Sequence, residues 1–403
     1  MSANGVKSIK YNLIQGGLAL GCRVKGGKIL PALSGGEVNT TCPNSIKFAA
    51  YAHYSNSIIA MNAVSMYVSA GFGDFKLSAI AEARLPFYME YKQDNKPKCA
   101  VVFNTQFANF TDTGIIIEFA KRDICGGVYK NGRVFGIDVN DSYKLWWSGV
   151  NGIKDWEEKI DGAGWLYTEV ELGEIYNLVL FKDGLAVIKK FGITLLDIGG
   201  APEDFKELVT VSTPVIYQKC SVVCGSKLYF YTVDGLYAFN GTVAEKVETE
   251  GASEFTSAVY ATTYGSCVFF AGTHKGLGRG VILVYDTEDK TSYFIDVAAT
   301  ALLAGDGMYA FKKGGAVKLG KGLQYTYQSE EFGRFSKRKK TLESIFIDCE
   351  EEVDITVFTE RGSRLFKGVK GKIPTHARGS YFKVSVDGKN AEIKELSATV
   401  EYY

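Results

Sequence analysis

Three observations predict an all-β chain. Tyr (24) and Phe (25) are abundant and Gly (45) far outnumbers Pro (7), a composition suited to strands joined by glycine turns and held by aromatic packing. Apolar residues alternate with period two along much of the 403 residues, and turn dipeptides such as Asn131-Gly132, Asp234-Gly235 and Asn240-Gly241 separate the runs. The runs also recur as clusters, whose first strands near Gly127, Ile175, Cys220, Ala258 and Thr300 lie 48, 45, 38 and 42 residues apart. Such a period, with about four short strands per unit, is the signature of a β-propeller. The expected fold is a β-propeller of about seven blades followed by a small C-terminal β-sandwich.

Taken in order, residues 1–45 are Gly-rich and weakly patterned, with YNLIQGGLALG as the clearest strand, and are expected as an N-terminal extended arm. Residues 46–322 are expected as the propeller. Its first units are SIIAMNAVSMYVSAGFGDFKL and CAVVFNTQFANFTDTGIIIEF, followed by GGVYKNGRVFGIDVNDSYKLWWSGV with its Asn-Gly turn. Gly173 to Gly200 is the next, punctuated by Lys182-Asp183-Gly184 and Phe191-Gly192. Ser226 to Glu248 reads as a three-stranded meander, and SAVYATTYGSCVFFAGTHKGLGRGVILVYD and TALLAGDGMYAFKKGGAVKLG repeat the theme. Six or eight blades fit the same spacing. Residues 323–403 change rhythm, with LESIFIDC, VDITVFT, SYFKVSVDG and AEIKELSATVEYY separated by charged connections, and are expected as a separate sandwich. The basic run GRFSKRKK, Gly333 to Lys340, reads as a solvated loop, with a phosphate contact as its alternative.

Composition also bounds function. Lys plus Arg is 46 against 45 for Asp plus Glu, so the formal net charge of +1 supplies no global field toward nucleic acid or an anionic membrane. The N-terminus carries no signal-peptide pattern and no segment reaches 18 consecutive apolar residues, so a soluble, non-secreted chain without a membrane anchor is expected. The eight cysteines sit among apolar neighbours and are expected as reduced, buried thiols.

Motifs that carry chemistry are few. His53, His274 and His376 have no Cys or His at metal-ligand spacing, and the Cys220/Cys224 pair lacks a second pair to complete a zinc site. There is no G-x-S-x-G elbow. THKGLGRG, Thr273 to Gly280, lacks the P-loop ending and leads into a strand, so it reads as a hairpin tip. Asp155 with Glu157 and Glu158, and Glu350 to Glu352, read as solvated charge rather than an acid/base pair. The loops DVNDSYKLWW and VDGLYAFNG lack the oxygen count and spacing that calcium needs. No catalytic, cofactor-binding or metal-ligating residue is assigned.

The segment KLWWSGVNGIKDWEE, Lys144 to Glu158, concentrates three of the four tryptophans. Trp146, Trp147, Trp156 and the nearby Trp165 form either a sugar-stacking platform or a packed turn. In the packed-turn reading Trp147 ends a strand, Ser148 to Asp155 supply polar turn chemistry, and Trp156 folds back over the turn. A lectin-like propeller would repeat its aromatic motif in most blades, and here it occurs once.

The residues Trp147, Ser148, Gly149, Asn151, Asp155 and Trp156, followed by Gly173, Glu174, Ile175, Leu178, Phe181, Asp183, Leu185, Val187 and Lys189, resemble a pattern in phage virion proteins. These are tail-hub, nozzle or stabilisation proteins with a β-propeller body. The C-terminal run ending in Tyr402 and Tyr403 is similar to the small β-domain that closes such chains. The resemblance spans about 125–200 and 323–403. It implies a non-enzymatic virion component in the tail or neck, made in the host cytoplasm and assembled as a homo-oligomeric ring. The partners implied are portal, adaptor or tail proteins, with a contact to packaged DNA that reads no sequence. Two other classes were weighed: a carbohydrate- or receptor-binding module using the tryptophans, and a glycan-cleaving propeller needing an arginine cluster, for which Arg122, Arg133 and Arg279 are the central candidates.

Overall fold

The computed structural model describes residues 7–403 except 41–42, 44, 71–73, 81–84, 94–95, 112–113, 159, 250–251, 322–323 and 335–338. The first six residues of the expected arm, the expected 322/323 domain boundary and half of the basic run therefore lie outside the described residues. Among the described residues there are strands and short 3-10 turns but no α-helix, and no helix is long and apolar enough to cross a membrane.

The middle of the chain builds successive antiparallel sheets from consecutive strands. The first comprises Phe48–Ala52, Ser57–Met61, Ser65–Ala70 and Lys76–Ile80. The second has six strands, from Phe87–Gln93 through the long pair Lys96–Thr111 and Gly114–Lys130 to Arg133–Asp138, Lys144–Trp147 and Gly164–Tyr167. The third runs from Ile175–Phe181 to Lys206–Ser212, and the fourth from Ile216–Cys224 to Ala244–Lys246. The fifth spans Phe255–Tyr264 to Thr291–Ile295. A sixth contains Ala301–Ala304, Met308–Lys312 and Gly315–Gly320, and its outer position is filled by Ser34–Thr40 from the N-terminal segment.

Each sheet is apolar on both faces because it is covered by a neighbour on each side. Ala50 and Ile59 of the first sheet share a core with Val101 and Phe103 of the second. Phe135 and Leu145 of the second meet Leu178 and Val187 of the third, and Phe181 and Ile188 of the third meet Leu228 and Phe230 of the fourth. The fourth packs on the fifth through Tyr231 and Phe270, and the fifth on the sixth through Ile282 and Ala310. Ala301 and Phe311 of the sixth return to Ala49 and Ile58 of the first. The first strands of the third to sixth sheets adjoin one another in order, that of the sixth adjoins the first strand of the first sheet, and Gly114–Lys130 of the second sheet adjoins Ile175–Phe181. This propeller-like succession buries both faces of strands such as Gly184–Lys189, whereas edge strands such as Lys206–Ser212 stay largely exposed.

Two sequence units expected as separate blades, at 99–119 and 126–150, belong to one sheet. The strands Lys96–Thr111 and Gly114–Lys130 are 16 and 17 residues long, so one hairpin spans what the spacing divided.

The N-terminal segment is extended, and it is paired through most of its length. Lys7–Asn12 pairs with Ile393–Tyr402, from Lys7 opposite Tyr402 to Asn12 opposite Ser397. Leu18–Leu20 bridges Thr291–Ile295 and Gln324–Gln328, making the fifth sheet continuous with the C-terminal strands in a nine-stranded sheet. The remaining C-terminal strands, Lys340–Cys349, Gly371–Arg378 and Ile393–Tyr402, form a second layer with the hairpin Cys22–Lys25/Lys28–Pro31. The two layers share one core that includes Leu342, Ile355, Val384, Val386, Leu396 and Val400. Covering the outer edge of the sixth sheet with Ser34–Thr40 removes a row of unpaired backbone groups that would otherwise invite another chain.

Candidate functional site

Alternation along Lys144–Trp147 sends adjacent tryptophans to opposite faces of the second sheet. Trp147, 6 % exposed, enters the joint with the third sheet, meets Phe205 edge-on at 5.2 Å and donates its indole N–H to the Gly162 carbonyl at 2.9 Å. Trp146, 1 % exposed, faces the other way among Met89, Phe107 and Ile124. It donates to Asp138 Oδ2 at 2.9 Å, and the second oxygen of that carboxylate caps the backbone N–H groups of Asn140 and Asp141. Trp156, also 1 % exposed, packs in the same cluster as Trp146.

Trp165 is half-buried and lies 6.2 Å from Trp146 between ring centroids. The Lys144 ammonium stands 3.6 Å from its ring centre and 4.8 Å from that of Trp146, while the Arg122 guanidinium stacks on Trp146 at 3.6 Å. Cations and rings thus alternate through Arg122, Trp146, Lys144 and Trp165, each contact worth about 0.5–2 kcal/mol. Trp146, Trp147 and Trp156 are buried, so these three offer no open ring face to a sugar.

Asp155 acts through its main chain. Its carbonyl accepts from Gly149 N–H at 2.8 Å and its own N–H donates to Gly152 O at 2.8 Å, while its side chain is exposed. The larger anchor of the turn is Arg133, buried, whose guanidinium donates to the carbonyls of Ser148 at 2.8 Å and of Asp161 and Gly162 at 3.0 Å each. Burial lowers the Arg133 pKa, partly offset by Asp161 and Glu203. Ser148, fully buried, accepts from Val134 N–H and donates to Gly149 O.

The two buried indoles differ in one respect that mutation can read. Among the described residues Trp156 Nε1 has no hydrogen-bond partner, whereas Trp146 Nε1 satisfies a buried carboxylate. Trp146→Phe is expected to cost about 1–3 kcal/mol more than Trp156→Phe in urea unfolding, because only the former orphans a buried acceptor. Equal losses in the two variants would show that Asp138 contributes nothing through this bond.

The arginines weighed for a glycan-cleaving site do not converge. Arg133 is consumed by carbonyls, Arg122 by Trp146, and Arg279 by Asp296 at 2.7 Å on the fifth sheet. Cys220 and Cys224 are free thiols packed with Tyr229 and Tyr231, and burial pushes both thiols up, away from the thiolate a nucleophile needs. Among the described residues no cluster of His, Cys, Asp and Glu could hold a metal ion. The Thr273–Gly280 segment is a hairpin tip, with His274 opposite Arg279 and Gly278 N–H returning to the His274 carbonyl at 2.9 Å.

A concavity the sequence did not mark lies where the first strands of successive sheets meet. A cavity of about 270 Å³ is lined by Phe48, Phe87, Tyr176, Lys219 and Tyr260, one from each of five sheets. The strands around it are bulged. Gly126 and Gly127 leave the ladder in the second sheet, Tyr176 in the third, residues 217–220 in the fourth and residues 257–259 in the fifth. Gly126, Lys219 and Ser257 hold φ values of 55°, 60° and 51° there. Gly127 allows the closest approach, since a Cβ would stand 2.4 Å from the Phe135 carbonyl and 2.5 Å from the Phe87 ring. Bulges re-aim side chains, and their repetition here turns residues of the inner strands toward the opening. The one sequence sign was polar Tyr217-Gln218-Lys219 breaking an apolar strand.

No protein-family model matches the chain, and no curated protein matches it. Solved structures do. PorZ, described as an essential bacterial surface component of the type-IX secretion system of Porphyromonas gingivalis, aligns with a TM-score of 0.51 at 9 % identity over 84 % of this chain. The chain spans 56 % of that protein's length. The Pan2 WD40 domain of Neurospora crassa aligns at 0.47 with 8 % identity, over 68 % of this chain and 88 % of that one. The AfRom2 CNH domain aligns at 0.44 with 7 % identity, over 70 % and 96 %. At these identities the likeness concerns the fold alone.

Proposed function

We propose that this chain is a non-enzymatic structural component of a bacteriophage virion, assembling in multiple copies in the tail or neck as a hub or nozzle protein. The observation that carries the reading is the sequence resemblance from Trp147 to Lys189 and over residues 323–403. Its tryptophans are internal, so the motif serves rigidity rather than recognition. In this reading the six sheets are the blades of a closed ring, one fewer than the spacing suggested, with Ser34–Thr40 completing the last blade. The two layers that share the C-terminal core are the sandwich, and the paired N-terminal strands bind it to the ring.

Contact surface for neighbours is available on the long hairpin of the second sheet. Near its tip Ile116 and Phe119 are exposed, Phe119 at 69 %, beside Asn109 and Gln106 on the paired strand. Large exposed apolar side chains suit a protein partner. Portal, adaptor or tail proteins and further copies of this chain are the partners proposed.

Electron cryo-microscopy of the particle and analytical ultracentrifugation of the purified protein test the reading together. The expected result is a ring of copies at the neck or tail, with assembly lost in Phe119→Asp. A monomer absent from purified particles would sink it, and saturable binding on a glycan array, weakened by Trp165→Ala, would favour the carbohydrate-binding module instead.

A further inference from the structure

We propose that the central opening is a binding site for a small oxyanion, a phosphate or carboxylate group, held by the ammonium of Lys219. Lys219 lies in the four-residue bulge 217–220 of the fourth sheet, between the ladder pairs Ile216–Thr232 and Ser221–Phe230. Its φ of 60° is a left-handed conformation that non-glycine residues disfavour, so the backbone is held against its preference where it presents this side chain. The residue lines both the 270 Å³ cavity and an adjoining recess of about 550 Å³, which share Leu85, Tyr176 and Lys219. The ammonium therefore stands where the two meet.

Its partners are few. Of three donors, one reaches the Lys47 carbonyl at 3.4 Å, and among the described residues Lys219 makes no ion pair. Burial, and then the neighbouring Lys47 charge, lower its pKa, whereas an adjacent carboxylate would raise it. Glu174 is the carboxylate lining the recess, and it forms no ion pair with Lys219. A single ammonium at an aromatic-walled opening is an arrangement that an oxyanion satisfies, and the low dielectric of Phe48, Phe87 and Tyr260 strengthens the attraction.

Isothermal titration of the full chain with inorganic phosphate and, separately, acetate, at constant ionic strength and pH 7, tests the site. Three forms are compared: wild type, Lys219→Arg and Lys219→Gly. Glycine removes the ammonium while suiting the backbone conformation, so Lys219→Gly is expected to melt no lower than wild type. At least one anion is expected to bind wild type saturably, at least tenfold more weakly to Lys219→Gly and within about threefold to Lys219→Arg. Binding to phosphate alone assigns a phosphoryl ligand, and binding to acetate alone a carboxylate. Saturable binding of neither anion, or equal binding by Lys219→Gly and wild type, overturns the proposal.

Discussion

Arg133→Met is expected to lower the unfolding free energy by about 1–3 kcal/mol. Methionine preserves most of the stem volume, so the loss isolates the guanidinium. That group ties three main-chain carbonyls, at Ser148, Asp161 and Gly162, across a turn whose side chains do little of the holding. Removing it strands the buried Ser148 carbonyl at about 1–3 kcal/mol, whereas the Asp161 and Gly162 carbonyls keep the Val150 N–H and the Trp147 indole as donors. All three contacts come from Nη1, and lysine, whose shorter side chain carries a more strongly hydrated charge, is expected to recover less than half of the loss. Guanidinium chloride titration followed by tryptophan fluorescence reads the effect directly, because Trp147 donates to one of the same carbonyls. A loss under 1 kcal/mol for Arg133→Met would mean that the turn is held by its own backbone bonds.

Lys189→Met is expected to act in the opposite sense. Lys189 is fully buried on the second strand of the third sheet and donates to Thr168 Oγ1 at 2.9 Å, with no carboxylate in ion-pairing range among the described residues. Burial brings its pKa down to about 8, against weaker opposing pulls from Glu207 and Glu169. A fall from 10.5 to about 8 corresponds to roughly 3 kcal/mol of disfavoured charge. The folded pKa lies below the unfolded one, so between pH 8 and 10.5 the unfolded chain binds more protons and wild-type stability rises with pH. The gain from Lys189→Met is therefore full below pH 8 and fades as the pH approaches 10.5. After allowance for the lost Thr168 bond, about 2 kcal/mol should remain at pH 7. Melting curves of both proteins from pH 6 to 10 check this; a difference that does not shrink with rising pH would exclude the buried ammonium as its source.

Neither Arg133 nor Lys189 stood out in the sequence as a structural anchor. Arg133 follows an Asn-Gly turn and looks like a solvated hairpin residue until residues 148 and 161–162 close over it. Lys189 ends the apolar run GLAVIK, where strand alternation alone does not distinguish an inward from an outward lysine. The tryptophan segment was more legible. Adjacent strand residues must face opposite ways, and four large rings in one region of a β-chain have more packing to satisfy than recognition to perform.

The hairpins, and the recurrence that suggested a propeller, were written locally in Asn131-Gly132, Asp234-Gly235 and the period-two runs around them, since turn geometry and strand alternation need only neighbouring residues. Tertiary structure decided what depends on distant partners. Lys7–Asn12 finds Ile393–Tyr402, Ser34–Thr40 finds Gly315–Gly320, and a 17-residue strand merges two apparent repeats into one sheet. The same holds for the opening around Lys219, which is lined by residues from five separate sheets and flanked by bulged strands. Strand edges carry the same N–H and C=O groups everywhere, so their pairing is chosen by which apolar faces can be buried together, and that choice is made only when the whole chain packs.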